Sequence, residues 1–262
     1  MSRIRDILVI DDEPTITQVV VKICSSEGMT VTAANHVTQA LRCLEQFEFR
    51  LVLCDIMMPE LDGFQFLEEL VRRGIHTPVV MMTGYSTMEN AVKSLTSTGA
   101  VDYIPKPFTF DELLSVVRRS LRCGELMHEA ELASLPRIGS MSYVPCPSGY
   151  YKLGYVSWVL MDDKGTARIG VSDLFLKAAE GIKEFTLSAV GEDLLQGVPC
   201  ATAVSPDGLI HEIMCPLSGS ILEVNTNAEL NPSLVEKDPY FRGWLYRILP
   251  SNPESDLRWL SL

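Results

Sequence analysis

The chain has 262 residues, enough for two ordinary domains, and its 22 Lys+Arg against 34 Asp+Glu leave a net charge of -12. Residues 1–122 carry -4 and residues 123–262 carry -8, so neither half invites a phosphate backbone or an anionic membrane, and nucleic acid is excluded as a first choice of partner. The apolar stretch after the N-terminus is too short for a signal peptide and no run approaches the ~20 apolar residues of a membrane span, which predicts a soluble cytoplasmic protein without membrane contact. The seven cysteines are never spaced as C-x-x-C, which argues against a disulfide framework or a zinc site and makes Cys200 and Cys215 strand-packing residues.

In chain order, ILVI (7–10) is followed by a helix from about Glu13, TVTAA (30–34) by a helix from about His36, and RLVLC (50–54) by a helix from Phe64. PVVMM (78–82) precedes a helix from Ser86, and VDYI (101–104) precedes a last helix that opens with Thr109-Phe110-Asp111-Glu112, the spacing of a capping box. Alternation of this kind predicts an α/β doubly wound, five-stranded parallel sheet over residues 1–122. The helical pattern is interrupted at Cys123-Gly124, resumes, and breaks at Pro136, so residues 123–150 read as a helical and irregular linker. Residues 151–262 read as short strands and turns with one helix from about Asp173 to Glu180, capped by Ser172.

In a doubly wound sheet, ligands sit outside the carboxyl ends of the strands. Asp11 and Asp12 follow the first strand, Asp55 ends the third, Thr83 ends the fourth, and Lys106 follows the fifth. Converging carboxylates repel one another unless a cation neutralises them, and Mg²⁺ is the oxygen-seeking ion that rests on one or two carboxylates plus a phosphate. Lys106 adds a positive charge and Thr83 a hydroxyl donor, suited to charge on a transferring phosphoryl group.

These residues, with "DIMMPELDGF" (55–64), "MMTGYS" (81–86) and "DYIPKPF" (102–108), make residues 1–122 resemble the receiver domain of two-component response regulators. The resemblance implies that Asp55 accepts a phosphoryl group from a histidine kinase or phosphotransfer protein. It further implies that Asp11, Asp12, Asp55 and the Met57 carbonyl arrange Mg²⁺, that Lys106 pairs with phosphoryl oxygens, and that Thr83 and Tyr103 act as switch residues. A cis Lys106-Pro107 bond belongs to the same pattern, and Met57 and Tyr85 occupy positions that tune phosphoryl lifetime. Met58, Met81 and Met82 read as packing residues.

The second half has no helix-turn-helix, basic recognition helix or nucleotide-binding glycine motif. His128 in "LMHEAEL" reads as a solvated linker histidine, because the chain has no room for a kinase core. "ARIGVSDLFLKAAEGI" (167–182), "CPLSGSILEVNTNAELNPSLVEKDPYFRGWLYRI" (215–248) and "PSNPESDLRWL" (250–260) resemble the H protein of the glycine cleavage system, a lipoyl carrier of barrel-sandwich β fold. That family carries lipoamide on a hairpin lysine. Counting back from Pro216 and Gly219 places the position on Gly208, and no lysine occurs between Lys183 and Lys237. Ser205-Pro206-Asp207-Gly208 suits a plain type I turn, and Asp207 and His211 read as polar surface.

The chain is therefore expected to be a Mg²⁺-dependent response regulator without lipoate. Its H protein-like module would have no enzymatic output, acting by contact with an unidentified protein target, and a second copy of the chain is a further candidate partner. The rival expectation is a lipoyl or one-carbon carrier modified at another lysine, such as Lys183 or Lys237.

Overall fold

A computed structural model describes residues 3–84, 99–133 and 142–262. The helix expected from Ser86, and Tyr85 beside it, lie outside the described residues.

The first sheet is built from β1 (Arg3–Ile10), β2 (Val31–Ala34), β3 (Phe47–Asp55), β4 (Val79–Thr83) and β5 (Asp102–Pro105), in the order β2-β1-β3-β4-β5. Every pairing in it is parallel. The apolar run ILVI has no polar alternation because both of its faces are covered: Ile7 and Val9 enter one core, Leu8 and Ile10 the other. The helices α1 (Pro14–Ser26), α2 (Val37–Gln46) and α3 (Gly63–Arg72) begin where local chemistry starts them. Pro14 fixes the first turn of α1, the His36 side chain accepts from Gln39 N, and Asp62 and Gln65 form a reciprocal capping box.

The box read at Thr109 is present as well: Thr109 N donates to Glu112 and Glu112 N donates to Thr109 Oγ1. It starts α4 (Phe110–Ala133), which passes through Cys123-Gly124 without a break. Glycine costs a helix only about 1 kcal/mol, less than burial of one large apolar side chain typically contributes. Cys123 and Leu126, beyond the glycine, are buried in the same cluster as Tyr155, Phe175, Ile213 and Cys215 of the second half.

That half contains β6 (Tyr151–Leu153), β7 (Ser157–Met161), β8 (Ala167–Val171), α5 (Asp173–Ala178), β9 (Glu184–Leu187) and β10 (Asp193–Leu194). There follow β11 (Pro199–Val204), β12 (Ile210–Met214), β13 (Gly219–Val224), α6 (Thr226–Leu230), α7 (Pro232–Lys237), β14 (Trp244–Pro250) and α8 (Pro253–Leu257). A six-stranded sheet runs β10-β13-β14-β8-β7-β6, and a three-stranded sheet β12-β11-β9 faces it, the antiparallel arrangement of a barrel-sandwich domain. Ser172 caps α5 as its sequence predicts, accepting from Phe175 N. The helices α6, α7 and α8 correct the reading of this region as strands and turns. Each is six residues or fewer, too short to display a helical period, and α7 and α8 are started by Pro232 and Pro253 rather than by an amphipathic stripe.

The two halves bury side chains against one another. Leu153 and Met214 join Tyr103 and Ala100 in one core, with Trp259 and Leu260 packed against it.

Candidate functional site

The carboxyl ends of β1 and β3 bring Asp11 and Asp55 together, both buried, with Asp12 exposed beside them. One ligand oxygen from each of the three lies within 4.8 Å of the others. Lys106 follows β5 and reaches across the sheet edge, its Nζ 2.6 Å from Asp11 Oδ2 and 2.9 Å from Asp55 Oδ1. Its backbone N donates to Thr83 O at 2.7 Å, and the Thr83 side chain is buried. Lys106-Pro107 is a cis peptide, as the motif predicts.

Burial raises the pKa of Asp55, with the charges of Asp11 and Asp12 acting in the same sense, and contact with Lys106 only partly offsets this. Burial opposes the charge of Lys106, but its bonds to Asp11 and Asp55 outweigh that and hold its pKa above the ordinary lysine value. A set of three carboxylates with one ammonium retains net negative charge and hard oxygen donors, which suits a small divalent cation. The loop after β3 is built closely around Asp55: a Cβ at Gly63 would stand 2.5 Å from Asp55 O and 2.6 Å from Met81 Cε. Met57, two residues beyond Asp55, is 58% exposed.

The sequence does not reveal a second polar cluster, buried where the halves meet. Asp102 Oδ2 accepts from Arg119 Nε at 3.1 Å, from Arg119 Nη2 at 2.5 Å and from the Tyr155 hydroxyl at 3.1 Å. Burial disfavours charge on Arg119, but the Asp102 carboxylate more than compensates and raises its pKa. The Arg119 guanidinium also lies over the Phe175 ring, 5.2 Å from its centroid. Arg119 Nη1 approaches His211 Nδ1 at 3.1 Å, and Ser115 Oγ approaches the same nitrogen at 2.8 Å. Arginine can only donate, so Nδ1 carries no proton and Nε2–H donates to Ser205 Oγ at 3.1 Å.

His211 is thus no surface residue, which corrects the sequence reading. It is 2% exposed, and burial followed by the charge of Arg119 pushes its pKa down to about 3. No local spacing signals this cluster, because Asp102, Arg119, Tyr155 and His211 come from four separate elements or loops. Asp207, by contrast, stays at the surface with its side chain 46% exposed. Cys200 and Cys215 are buried packing residues, and His128 is exposed on α4.

The turn between β11 and β12 has the i to i+3 bond expected of it, Gly208 N donating to Ser205 O at 3.0 Å, and Gly208 holds φ +90°. The tip is tied to the other half of the molecule. Arg118 of α4 donates to Asp207 at 3.2 Å and to Glu27, just past α1, at 2.6 Å.

The response regulator receiver domain model matches residues 7–118, and the glycine cleavage H-protein model matches residues 150–261. A response regulator receiver domain is joined here to an H-protein-like domain. The regulatory protein AtoC of Escherichia coli (strain K12) is 36% identical over 129 residues, covering 49% of this chain and 28% of AtoC. Among solved structures, the receiver domain of NtrX from Brucella abortus is 39% identical, with 44% of this chain and 98% of that one covered and a TM-score of 0.42. The glycine cleavage system H protein from Mycobacterium marinum is 28% identical, covering 40% of this chain and 86% of that one with a TM-score of 0.38. This chain spans less than a third of the length of AtoC, and the match lies in the receiver. No helix among the described residues is long and apolar enough to cross a membrane.

Proposed function

We propose that this chain is a two-component response regulator that takes a phosphoryl group on Asp55 and signals through protein contacts of its H-protein-like domain. The observation that carries the reading is the bridging of Asp55 Oδ1 and Asp11 Oδ2 by Lys106 Nζ at one sheet edge. In the transfer, an Asp55 carboxylate oxygen forms the new O–P bond while the N–P bond of a phosphohistidine on a histidine kinase or phosphotransfer protein breaks, and the imidazole leaves with the electron pair. Lys106 and Thr83 face the phosphoryl oxygens and balance their charge. Asp11, Asp12, Asp55 and the Met57 carbonyl are the residues that would hold Mg²⁺, which supplies charge neutralisation when bound.

The reading that no lipoate is carried is supported by Gly208, which stands at the hairpin position that the family resemblance gives to the lysine. The tip also lies against α4 through Arg118 instead of projecting freely. An output by contact, without an enzymatic step of its own, is what such a module retains. Incubation with acetyl phosphate and Mg²⁺, followed by intact mass measurement, tests the first link: one phosphoryl mass on the native chain and none on Asp55→Asn is the expected result. A phosphoryl mass that survives Asp55→Asn refutes it.

A further inference from the structure

We propose that the H-protein-like domain carries a binding site for a nucleoside monophosphate, in the recess between α6, α7 and the turn that enters β14. The recess has a volume of about 410 Å³, and the residues that line it all belong to the second half. Small-ligand sites enclose roughly 300–1,000 Å³, so the space suits a ligand of one nucleotide. It is lined by two aromatic residues, Phe241 and Trp244, by Arg242, and by the amides Asn227 and Asn231. Among the described residues no carboxylate lines it, although the chain has 34 Asp+Glu against 22 Lys+Arg. A cation with no acid beside it in so acidic a chain suits a ligand that brings the negative charge.

The turn beneath these side chains is fixed. Asn225 is buried, and its Nδ2 donates to Arg242 O at 2.9 Å and to Trp244 O at 2.7 Å. Phe241 N donates to Asp238 Oδ1 at 3.1 Å, and Gly243 N donates to Asp238 O at 2.8 Å. A Cβ at Gly243 would stand 2.7 Å from Asp238 O and 2.8 Å from Val235 Cα, so backbone packs directly on backbone there. Trp244 rests against the Tyr150, Trp158 and Tyr240 cluster and is only partly covered. On this base Phe241 is 64% exposed, and Arg242 and Asn227 are exposed with no side-chain partner among the described residues. Unengaged side chains on a fixed backbone make a preorganised site, since little ordering remains when a ligand arrives.

One ligand matches all of these groups. A purine ring stacks on an aromatic side chain whatever its sequence context, and Arg242 offers phosphate oxygens a fork of N–H donors. Asn227 has both a carbonyl and an NH₂ for the edge of a base. Asn231 Oδ1 already accepts from Ser233 Oγ at 2.7 Å, which leaves its NH₂ to donate. A nucleic acid strand would add phosphates that the acidic domain repels, which limits the ligand to a single nucleotide. Stacking plus one guanidinium needs no glycine-rich phosphate loop, so the sequence carries no signature of the site. Nothing in it depends on the reading of Asp55 as the phosphoryl acceptor.

Ligand-detected NMR titration of the full chain in Mg²⁺-free buffer tests this with AMP, adenosine and ribose 5-phosphate. AMP is expected to bind with a Kd below about 1 mM. Adenosine and ribose 5-phosphate, each lacking one half of the recognition, should bind at least about fivefold more weakly. Arg242→Gln should bring AMP down to the affinity of adenosine. Phe241→Ala should weaken AMP and adenosine alike, by at least about fivefold, and leave ribose 5-phosphate unchanged. Both side chains are exposed, so neither substitution threatens the fold. No AMP binding at about 1 mM overturns the site. AMP binding that survives both substitutions unchanged places the nucleotide elsewhere and overturns it equally, and ribose 5-phosphate binding as tightly as AMP overturns the role of the rings.

Discussion

The acidic pocket and the arginine–histidine junction are both buried polar clusters, yet they are built by opposite rules. At the pocket, Asp11, Asp55 and Lys106 leave carboxylate charge in excess and one member, Asp12, open to solvent, so the cluster is completed only by something arriving from outside. At the junction, Asp102 and Arg119 neutralise one another and His211 is kept neutral, so the cluster is already complete. An unsatisfied cluster points to chemistry, whereas a satisfied one points to the joining of parts.

The contrast breaks most severely if Arg119 is removed. Arg119→Ala leaves the fully buried Asp102 carboxylate without its cation, and about 3–5 kcal/mol of stability should be lost in chemical denaturation. Loss confined to the ordinary surface range would mean that water already reaches the junction.

Acid attacks the same point from another direction. His211 resists protonation when folded, with its pKa near 3, but takes a proton near 6.5 when unfolded. The unfolded state therefore binds more protons between those values, so stability is full above about pH 6.5 and falls as pH drops through the window, by up to about 1.4 kcal/mol per pH unit. Arg119 faces the ring from α4 and Asp207 from the turn, with Asp102 behind Arg119, so His211→Gln should flatten this part of a stability–pH profile. A profile unchanged by His211→Gln would place the acid sensitivity elsewhere.

Two glycines give smaller effects that separate the regions. Gly63→Ala forces a Cβ against the Asp55 carbonyl and Met81, and should cost about 1–3 kcal/mol while slowing phosphoryl uptake measured by mass. Gly208→Lys meets open space but a positive φ, so it should cost only about 1 kcal/mol and leave uptake at Asp55 unaltered.

What the sequence made legible follows the same division. The pocket was readable because each of its residues ends or follows an apolar strand, so strand order alone brings them to one edge. The parallel sheet was readable for the same reason, and the caps at Thr109 and Ser172 marked their helices. The junction was not readable: Arg119 and Ser115 look like the polar face of a helix, and His211 like an alternating residue of a hairpin, until α4 and β12 are packed together. Nor could Cys123-Gly124 show that α4 continues, since the stability of its last turns comes from Cys123 and Leu126 entering the core of the second half. Pairings distant in sequence leave no periodic trace, and they are what join the halves.

The central claim is that signal enters at Asp55 and that the H-protein-like domain works without lipoate. Peptide-resolved mass spectrometry of the full chain, isolated from its native host and treated with acetyl phosphate and Mg²⁺, tests both halves at once. The account predicts a phosphoryl group on the peptide containing Asp55 and unmodified lysines throughout the second domain, Lys183 and Lys237 included. A lipoyl mass on any lysine, or a phosphoryl group that avoids Asp55, would contradict it.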